Sequence, residues 1–257
     1  ALAWGSNLDW GYNKHPPFSA FIINLIYIIF KTNDWAYYLL SQLCVIIGLY
    51  FVWELSKEFF SNRIFSFLSV VVLETIVFFN YTTPEFNVYV CQLPLKAALI
   101  YFFWKGLNNT KSTNWILIGI LSALGVLTHY SFIFIILSLF ICFVIIVKKN
   151  KKTIKNFFIS FVIFLIILSP HIFWLFDNNF EAIKYALNRS NVENKDLFDH
   201  ILNPVFFISK QLGMLMLFFI TFLSILSFKK LKKIKLNLNN KKEVFLLSIS
   251  LLPILIV

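Results

Sequence analysis

Charged residues are scarce in this sequence, and acidic ones most of all. Asp and Glu number 12 among 257 residues, and all charged residues together make up 14%, against about 25% in a soluble domain. Hydrophobic residues reach 59% and the mean hydropathy is +0.78. This composition excludes an ordinary soluble domain and predicts an integral membrane protein.

Cysteine and glycine are also rare, which excludes several kinds of site. Cys44, Cys91 and Cys142 fall within apolar stretches at no metal-ligand spacing, so we interpret them as packing residues and predict neither a disulfide nor a zinc site. The seven glycines form no phosphate-binding loop, and no Ser-His-Asp arrangement is visible. A soluble nucleotide-sugar or ATP-dependent enzyme is therefore unsupported. We predict no cofactor, and a divalent metal stays possible but is not indicated.

The net charge of +11 comes from short lysine clusters that lie between apolar runs. Cytoplasmic loops of membrane proteins carry such lysines, so the charge favours a membrane topology signal over nucleic-acid binding. The runs predict an all-α polytopic bundle, with about seven crossings and one interfacial helix. The interfacial helix covers 17–30, and the crossings fall within 35–56, 64–79, 88–104, 115–147, 157–176, 205–228 and 244–257.

The run over 115–147 is too long for one crossing and short for two. Basic residues flank it on both sides, so an even number of crossings must separate them. The polar break Thr128-His129-Tyr130-Ser131 is where the chain turns, either between two short crossings or at the tip of a re-entrant hairpin. With this topology the outer face collects four segments, and the lysines crowd the inner face. These outer segments are 11–18, 80–87, the turn at His129 and 177–204. All four histidines lie at or near them, namely His15, His129, His171 and His200.

Several polar residues are candidates for chemistry. Glu85, at an outer boundary, is either a general base that acts on an acceptor hydroxyl or an ordinary acid in a helix first turn. Glu74 lies within a predicted crossing, where it is either functional or neutral and hydrogen-bonded, and Glu54 snorkels nearer the inner boundary. His129 and Tyr130 either contact a phosphate and a lipid groove or satisfy a helix break. His171, after Pro170, either lines the same cavity or follows a simple kink.

Motifs in chain order carry a family resemblance. Trp10-Gly11-Tyr12-x-x-His15-Pro16-Pro17-Phe18 resembles the Gly-Tyr-x-x-His-Pro-Pro-Leu signature of bacterial dolichyl-phosphate-mannose protein mannosyltransferase-like enzymes of the GT-C fold. These include aminoarabinose lipid A transferases and rhizobial galacturonosyltransferases. Further similar motifs are Thr83-Pro84-Glu85, the stretch 119–130, Ser169-Pro170-His171 with Trp174, and Asn178-Asn179-Phe180.

The resemblance implies a single GT-C domain over 1–257 that transfers a sugar from a polyprenyl-phosphate donor to lipid A, another glycolipid or a protein. It implies action at the outer face of the bacterial inner membrane, in lipopolysaccharide biosynthesis. The implied catalytic residue is Glu85, and the implied substrate-binding residues are Tyr12, Lys14, His15, His129, Tyr130 and His171. Membrane lipids are expected partners and nucleic acid is not.

Two departures from the family pattern bear on these expectations. The family's principal acid pair falls upstream of Ala1, so we expect a fragment, truncated at both ends, that lacks its main catalytic acid; Asp9 is at an unmatched position. His129 replaces a lysine that meets the donor phosphate in relatives, and its charge depends on pH near neutrality. The rival interpretations are a membrane transporter or lipid flippase component, which would place its polar groups near the midplane, and an inactive truncated relative.

Overall fold

The computed structural model describes residues 2–109, 111–147, 150–189, 198–225, 237 and 239–256, and within them the chain is helical without a strand. The first half contains α1 (Leu2–Gly5), α2 (Phe18–Phe30), α3 (Asp34–Phe59), α4 (Arg63–Glu74), a 3-10 turn (Val77–Phe79) and α5 (Val88–Asn108). The second half contains α6 (Ser112–Thr128), α7 (Phe132–Ile146), α8 (Lys151–Asp177), α9 (Glu181–Arg189), α10 (Asp199–Met214), α11 (Met216–Ile225) and α12 (Lys241–Ile256). The predicted all-α bundle is confirmed.

In the part of the chain that the structure describes, two helices are long and apolar enough to cross a membrane. α3 has 26 residues and α8 has 27, which corresponds to roughly 40 Å each at 1.5 Å per residue. In the most apolar 18-residue stretch of each helix, 22% is buried inside the protein for α3 and 17% for α8. Their Leu, Ile and Phe side chains therefore face outward, which a core helix of a soluble protein would not tolerate. The protein is a membrane protein with a helical bundle.

The break predicted at His129 is confirmed. α6 ends at Thr128 and α7 begins at Phe132, so the long apolar run forms a helical hairpin. α6 packs along α5 on one side and along α8 on the other. At the α6–α8 contact, a Cβ on Gly119 would lie 2.5 Å from the carbonyl oxygen of Ser160, so glycine allows the close approach of the two helices.

Other predicted boundaries are wrong. The crossing predicted over 64–79 is a 12-residue helix, α4, that ends at Glu74, roughly 18 Å long and too short for a bilayer core. Glu74 consequently lies at a helix end and not within a span. The predicted outer loop over 177–204 contains α9 and the start of α10, while its residues 190–197 are outside the described part. The predicted crossing over 205–228 is divided at Leu215 between α10 and α11, and most of the basic loop over 229–242 is also outside that part.

The largest apolar cluster lies between α5, α6, α7 and α12. Trp115, Phe132 and Phe245 are fully buried there, and Trp104 and Phe143 pack on them. Basic side chains group beyond this cluster, at what we call the lysine end of the bundle. Lys105 pairs with Glu58, Lys242 donates to the Glu58 carbonyl at 2.6 Å, and Lys241 donates to the Leu107 carbonyl at 2.8 Å.

Candidate functional site

The loop before α2 is a closed turn held by proline. The Tyr12 amide donates to the His15 carbonyl at 3.1 Å, and Pro16 and Pro17 are fully buried behind it. Pro17 precedes the first turn of α2, whose Ala20 amide donates to the Pro17 carbonyl at 3.0 Å. Since each proline fixes its own φ, the turn presents His15 from a rigid base.

Four aromatic rings meet beside this turn, and we call Trp4, His15, Tyr89 and His129 the histidine cluster. The ring centroids of His15 and His129 are 5.4 Å apart, and those of Tyr89 and His129 are also 5.4 Å apart. Trp4 lies 5.3 Å from His15 on its other side. Residues from the N-terminal turn, the start of α5 and the α6–α7 connection thus converge at the end of the bundle opposite the lysine end.

The His129 ring has a defined orientation. Its Nδ1 accepts the Ser131 backbone N–H at 3.1 Å and lies 2.9 Å from the Ser131 hydroxyl. Because Nδ1 accepts a backbone N–H, the neutral ring carries its proton on Nε2. His129 is therefore set up as a hydrogen-bond donor through Nε2.

His171 has a different role, because both of its ring nitrogens are used within the protein. The side chain is 1% exposed. Its Nδ1–H donates to the Trp10 carbonyl at 2.6 Å, and its Nε2 accepts the Tyr130 hydroxyl at 3.1 Å. His171 on α8 thereby ties the N-terminal loop to the α6–α7 connection.

Trp174, one helical turn after His171, completes this attachment. Its Nε1–H donates to the Asp9 carboxylate at 2.9 Å, which also accepts the Trp10 amide at 2.7 Å. A Cβ on Gly11 would lie 2.2 Å from the Trp174 ring, so only glycine fits there. Asp9 is accordingly engaged in holding the loop.

Tyr12 also holds the loop together. Its hydroxyl donates to the Trp4 carbonyl at 2.8 Å, and its ring stacks on Trp4. The Asp9 amide donates back to that hydroxyl at 3.3 Å. Burial raises the pKa of Tyr12 above its ordinary value, so its hydroxyl stays protonated at neutral pH.

Lys14 lies on the exposed side of the turn and meets α9. Its ammonium is 5.5 Å from the centroid of the Tyr185 ring, a cation–π contact. The chain reaches α9 through Asn179 and Phe180, both at positive φ. This tight turn after α8 brings α9 to Lys14.

Glu85 lies on the loop over 80–87 and is exposed. The Thr83 carbonyl anchors the loop to α3, because it accepts the Ser41 hydroxyl at 2.6 Å and the Gln42 amide at 3.0 Å. Asn87 caps α5 by accepting the Tyr89 and Val90 amides. The interpretation of Glu85 as a helix first-turn acid is therefore wrong, since the cap lies two residues later.

The structure brings several predicted site residues together and leaves others apart. His15 meets His129, and Tyr130 meets His171; Lys14 and Tyr12 belong to the same turn. Glu85 is exposed on the segment that leads into Tyr89 of the histidine cluster. The side chain of His200 is outside the described part. No group of three or more His, Cys, Asp or Glu side chains suited to a metal occurs among the described residues.

Trp4 and Tyr89 did not appear among the residues predicted to form the site. Tyr89 offers a sequence signal, because it starts a polar series on α5 with Gln92 and Lys96. Trp4 offers none, since aromatic residues are frequent throughout this chain.

A family model described as dolichyl-phosphate-mannose-protein mannosyltransferase matches residues 14–174, more than half of the chain. The chain belongs to the dolichyl-phosphate-mannose-protein mannosyltransferase family. Members of this family are membrane glycosyltransferases of the GT-C type, so the predicted family is confirmed. No curated protein and no solved structure matches the chain.

The family match spans most of the histidine cluster and its supports. It begins at Lys14, next to His15, and ends at Trp174, on which Gly11 packs. The matched region thus includes α2 to most of α8 and both sides of the contact between His15 and His129. In this family member, the cluster joins His15 to His129 across more than a hundred residues of sequence.

Proposed function

We propose that this protein transfers a sugar from a polyprenyl-phosphate donor to a lipid or protein acceptor, with its site facing the exterior of a bacterial inner membrane. The observation that carries the proposal is the contact between His15 and His129 at 5.4 Å, at the end of the bundle away from the lysines. Two imidazoles on rigid supports, next to outward-facing apolar helices, suit the phosphate of a membrane-embedded donor.

The proposed reaction inverts the anomeric carbon. The acceptor hydroxyl oxygen forms a bond to that carbon, the bond from the carbon to the phosphate oxygen breaks, and polyprenyl phosphate leaves. The acceptor proton passes to a carboxylate, for which Glu85 is our candidate within this chain. His15, His129 and Lys14 donate to the phosphate as negative charge develops on it.

The other predicted binding residues take a positioning role in this proposal. His171 and Tyr12 spend their polar atoms on the Trp10 and Trp4 carbonyls. Tyr130 is bonded to His171. We assign all three to holding the His15 turn against the α6–α7 connection, without contact to the substrate.

The proposed orientation follows from charge. Lys105, Lys241 and Lys242 gather at one end of the bundle, and lysines mark cytoplasmic ends of membrane helices. This distribution supports an exterior position for the histidine cluster. The meeting of His15 and His129 at a bundle end supports a transferase, since a transporter would bind its substrate near the midplane. Lipid A or another glycolipid is our preferred acceptor.

The test is transfer by the full-length protein in lipid nanodiscs, supplied with a panel of polyprenyl-phosphate sugars and followed by release of polyprenyl phosphate. We expect Glu85→Gln to lower the transfer rate by about 100-fold or more, as loss of a general base does. Glu54→Gln is the control, because Glu54 pairs with Lys57 on the lysine side and should keep the wild-type rate.

Either of two results would count against the proposal. A normal rate in Glu85→Gln would remove Glu85 from the reaction and leave its loop with a structural role. Absence of transfer from every polyprenyl-phosphate sugar, in protein that is folded by circular dichroism, would contradict the donor class itself.

A further inference from the structure

A polar stripe runs along α5 away from the histidine cluster. Tyr89, Gln92 and Lys96 are spaced i, i+3 and i+7, and side chains with this spacing share one face of a helix. Tyr89 forms the end of the stripe that lies at the histidine cluster, because its ring lies against His129. Gln92 and Lys96 follow at roughly 5 Å and 11 Å further along the helix axis, at 1.5 Å per residue.

Gln92 is the unusual member of this stripe. The side chain is 1% exposed, and neither its amide nitrogen nor its amide oxygen has a hydrogen-bond partner among the described residues. Burial of an amide without partners is unfavourable, and an apolar residue of the same size would avoid this cost. Its presence points to a ligand that pairs with it.

Lys96 supplies the charge. It is half-buried in the interior of α5, and the ion pairs in the described part of the chain, Lys57–Glu54 and Lys105–Glu58, do not include it. A cation in an apolar helix is rare and usually marks a substrate path. Side chains on a helix tilt toward its N-terminus, and the stem of Lys96 is long enough for its ammonium to reach back to the level of Gln92.

We propose that Gln92 and Lys96 form a binding site for the phosphate of a polyprenyl phosphate, on the helix whose first turn holds Tyr89 against His129. The inference rests on the proposed function and adds two residues to its donor site. The ammonium of Lys96 and the amide NH₂ of Gln92 both donate to phosphate oxygens, and the apolar surroundings suit a ligand whose anionic head is attached to a long apolar tail. A water-soluble anion lacks the tail that would carry it to this depth.

The test measures binding directly and needs no turnover. The full-length protein in nanodiscs of uncharged lipid is titrated with a polyprenyl phosphate. A separate titration with a polyprenol of the same length provides the uncharged comparison. Inorganic phosphate and phosphatidylglycerol serve as competitors. We expect the wild type to prefer the phosphate form, and Lys96→Met to weaken its binding by about 10-fold or more without changing polyprenol binding. Lys96→Arg, which keeps the cation, should retain most of the affinity.

Gln92→Leu separates ligand binding from a structural role. It removes the unpartnered polar atoms, so we expect a higher unfolding temperature without ligand together with weaker binding of polyprenyl phosphate. A gain in stability with unchanged binding would overturn the role of Gln92. Lys152→Met is the matched control for Lys96→Met, because Lys152 is exposed at the start of α8 and its loss should leave binding unchanged.

The remaining outcomes distinguish this inference from the proposed function. If the wild type prefers polyprenyl phosphate and Lys96→Met binds it equally well, the inference is wrong and the donor class stands. If the wild type binds the phosphate and the polyprenol equally, the proposed donor fails, and the inference fails with it. Equal competition by inorganic phosphate or by phosphatidylglycerol would overturn the inference in favour of a free-anion site or a general anionic-lipid site.

Discussion

His171 shows how a histidine in a polar part of a helix can have both ring nitrogens bonded within the protein. Both of its nitrogens have partners within the protein, the Trp10 carbonyl and the Tyr130 hydroxyl. The buried carbonyl of a loop needs a donor, and His171 supplies it from α8. His15 and His129 differ because their rings face each other from separate segments. The sequence offers three similar histidines. Only their neighbours in space distinguish His171, which is bonded within the protein, from His15 and His129, which we propose bind the substrate.

Gly11 gives a test of the support beneath the histidine cluster. A methyl group there would overlap the Trp174 ring, with its Cβ 2.2 Å from the nearest ring atom. We expect Gly11→Ala to lower the free energy of unfolding by about 1–3 kcal/mol and to lower transfer activity, because the His15 turn must shift. Thermal unfolding of the purified protein and the transfer assay measure the two effects.

Gly213→Ala is the control for this substitution. Gly213 lies in α10, and a Cβ there would meet nothing within 4 Å. Alanine favours a helix interior over glycine by about 0.5–1 kcal/mol, so Gly213→Ala should be neutral or stabilising. If Gly11→Ala were equally benign, Trp174 would not be packed on the loop as described.

Lys96 was visible in the sequence as a charge inside an apolar run, yet it was not among the predicted site residues. A lone lysine in an apolar run carries no motif, and its long stem can lie along apolar surface without any functional role. Its significance depends on Gln92, whose lack of partners is a property of packing and cannot be read from residue order.

At the level of elements, the sequence predicts a helix boundary best where the charges that flank an apolar run and the length of that run agree. The break at Thr128–Ser131 follows from two basic flanks and one polar interruption, and the helices end and begin there. α4 was predicted too long, because Val77, Phe78 and Phe79 continue the apolar run after the helix has ended. α9 was missed because its polar, amphipathic sequence resembles a loop. Hydropathy counts apolar residues and does not register the turn at Thr75 that ends α4.

The cap of α5 gives a test at this scale. Asn87 accepts the Tyr89 and Val90 amides, so it fixes the start of the helix that carries Tyr89 and the end of the loop that carries Glu85. We expect Asn87→Ala to lower the free energy of unfolding by about 1 kcal/mol. It should also lower transfer activity by more than this loss of stability explains, because Tyr89 and Glu85 lose their fixed positions.

Asn150→Ala is a closely matched control. Asn150 caps α8 in the same way, by accepting the Lys152 and Thr153 amides, but at the lysine end of the bundle. The stability loss should be similar, and activity should stay near wild type. Equal losses of activity in both variants would mean that activity follows stability alone and that the α5 cap has no particular role at the site.

For the whole molecule, two chemically different ends are separated by an apolar middle. The histidine cluster with Asp9 and Trp174 lies at one end, and the paired and carbonyl-bound lysines lie at the other. Between them, α3 and α8 expose Leu, Ile and Phe side chains to their surroundings. Burial of these helices in a bilayer removes that surface from water, which is worth roughly 25 cal/mol for each Å². The division of charge then determines which end faces the cytoplasm.

Cysteine labelling tests this orientation. Cys44, Cys91 and Cys142 are free thiols and would first be replaced by serine or alanine. Single cysteines would then be introduced at Asn13, in the exposed part of the His15 turn, and at Lys152, at the lysine end.

In intact spheroplasts, a membrane-impermeant maleimide should label Asn13→Cys, and it should label Lys152→Cys only after permeabilisation. Labelling of both positions from the outside would place the two ends on one side and contradict a bundle that spans the membrane. The reverse pattern would keep the spanning bundle but put the histidine cluster in the cytoplasm, where a donor presented at the outer face cannot reach it.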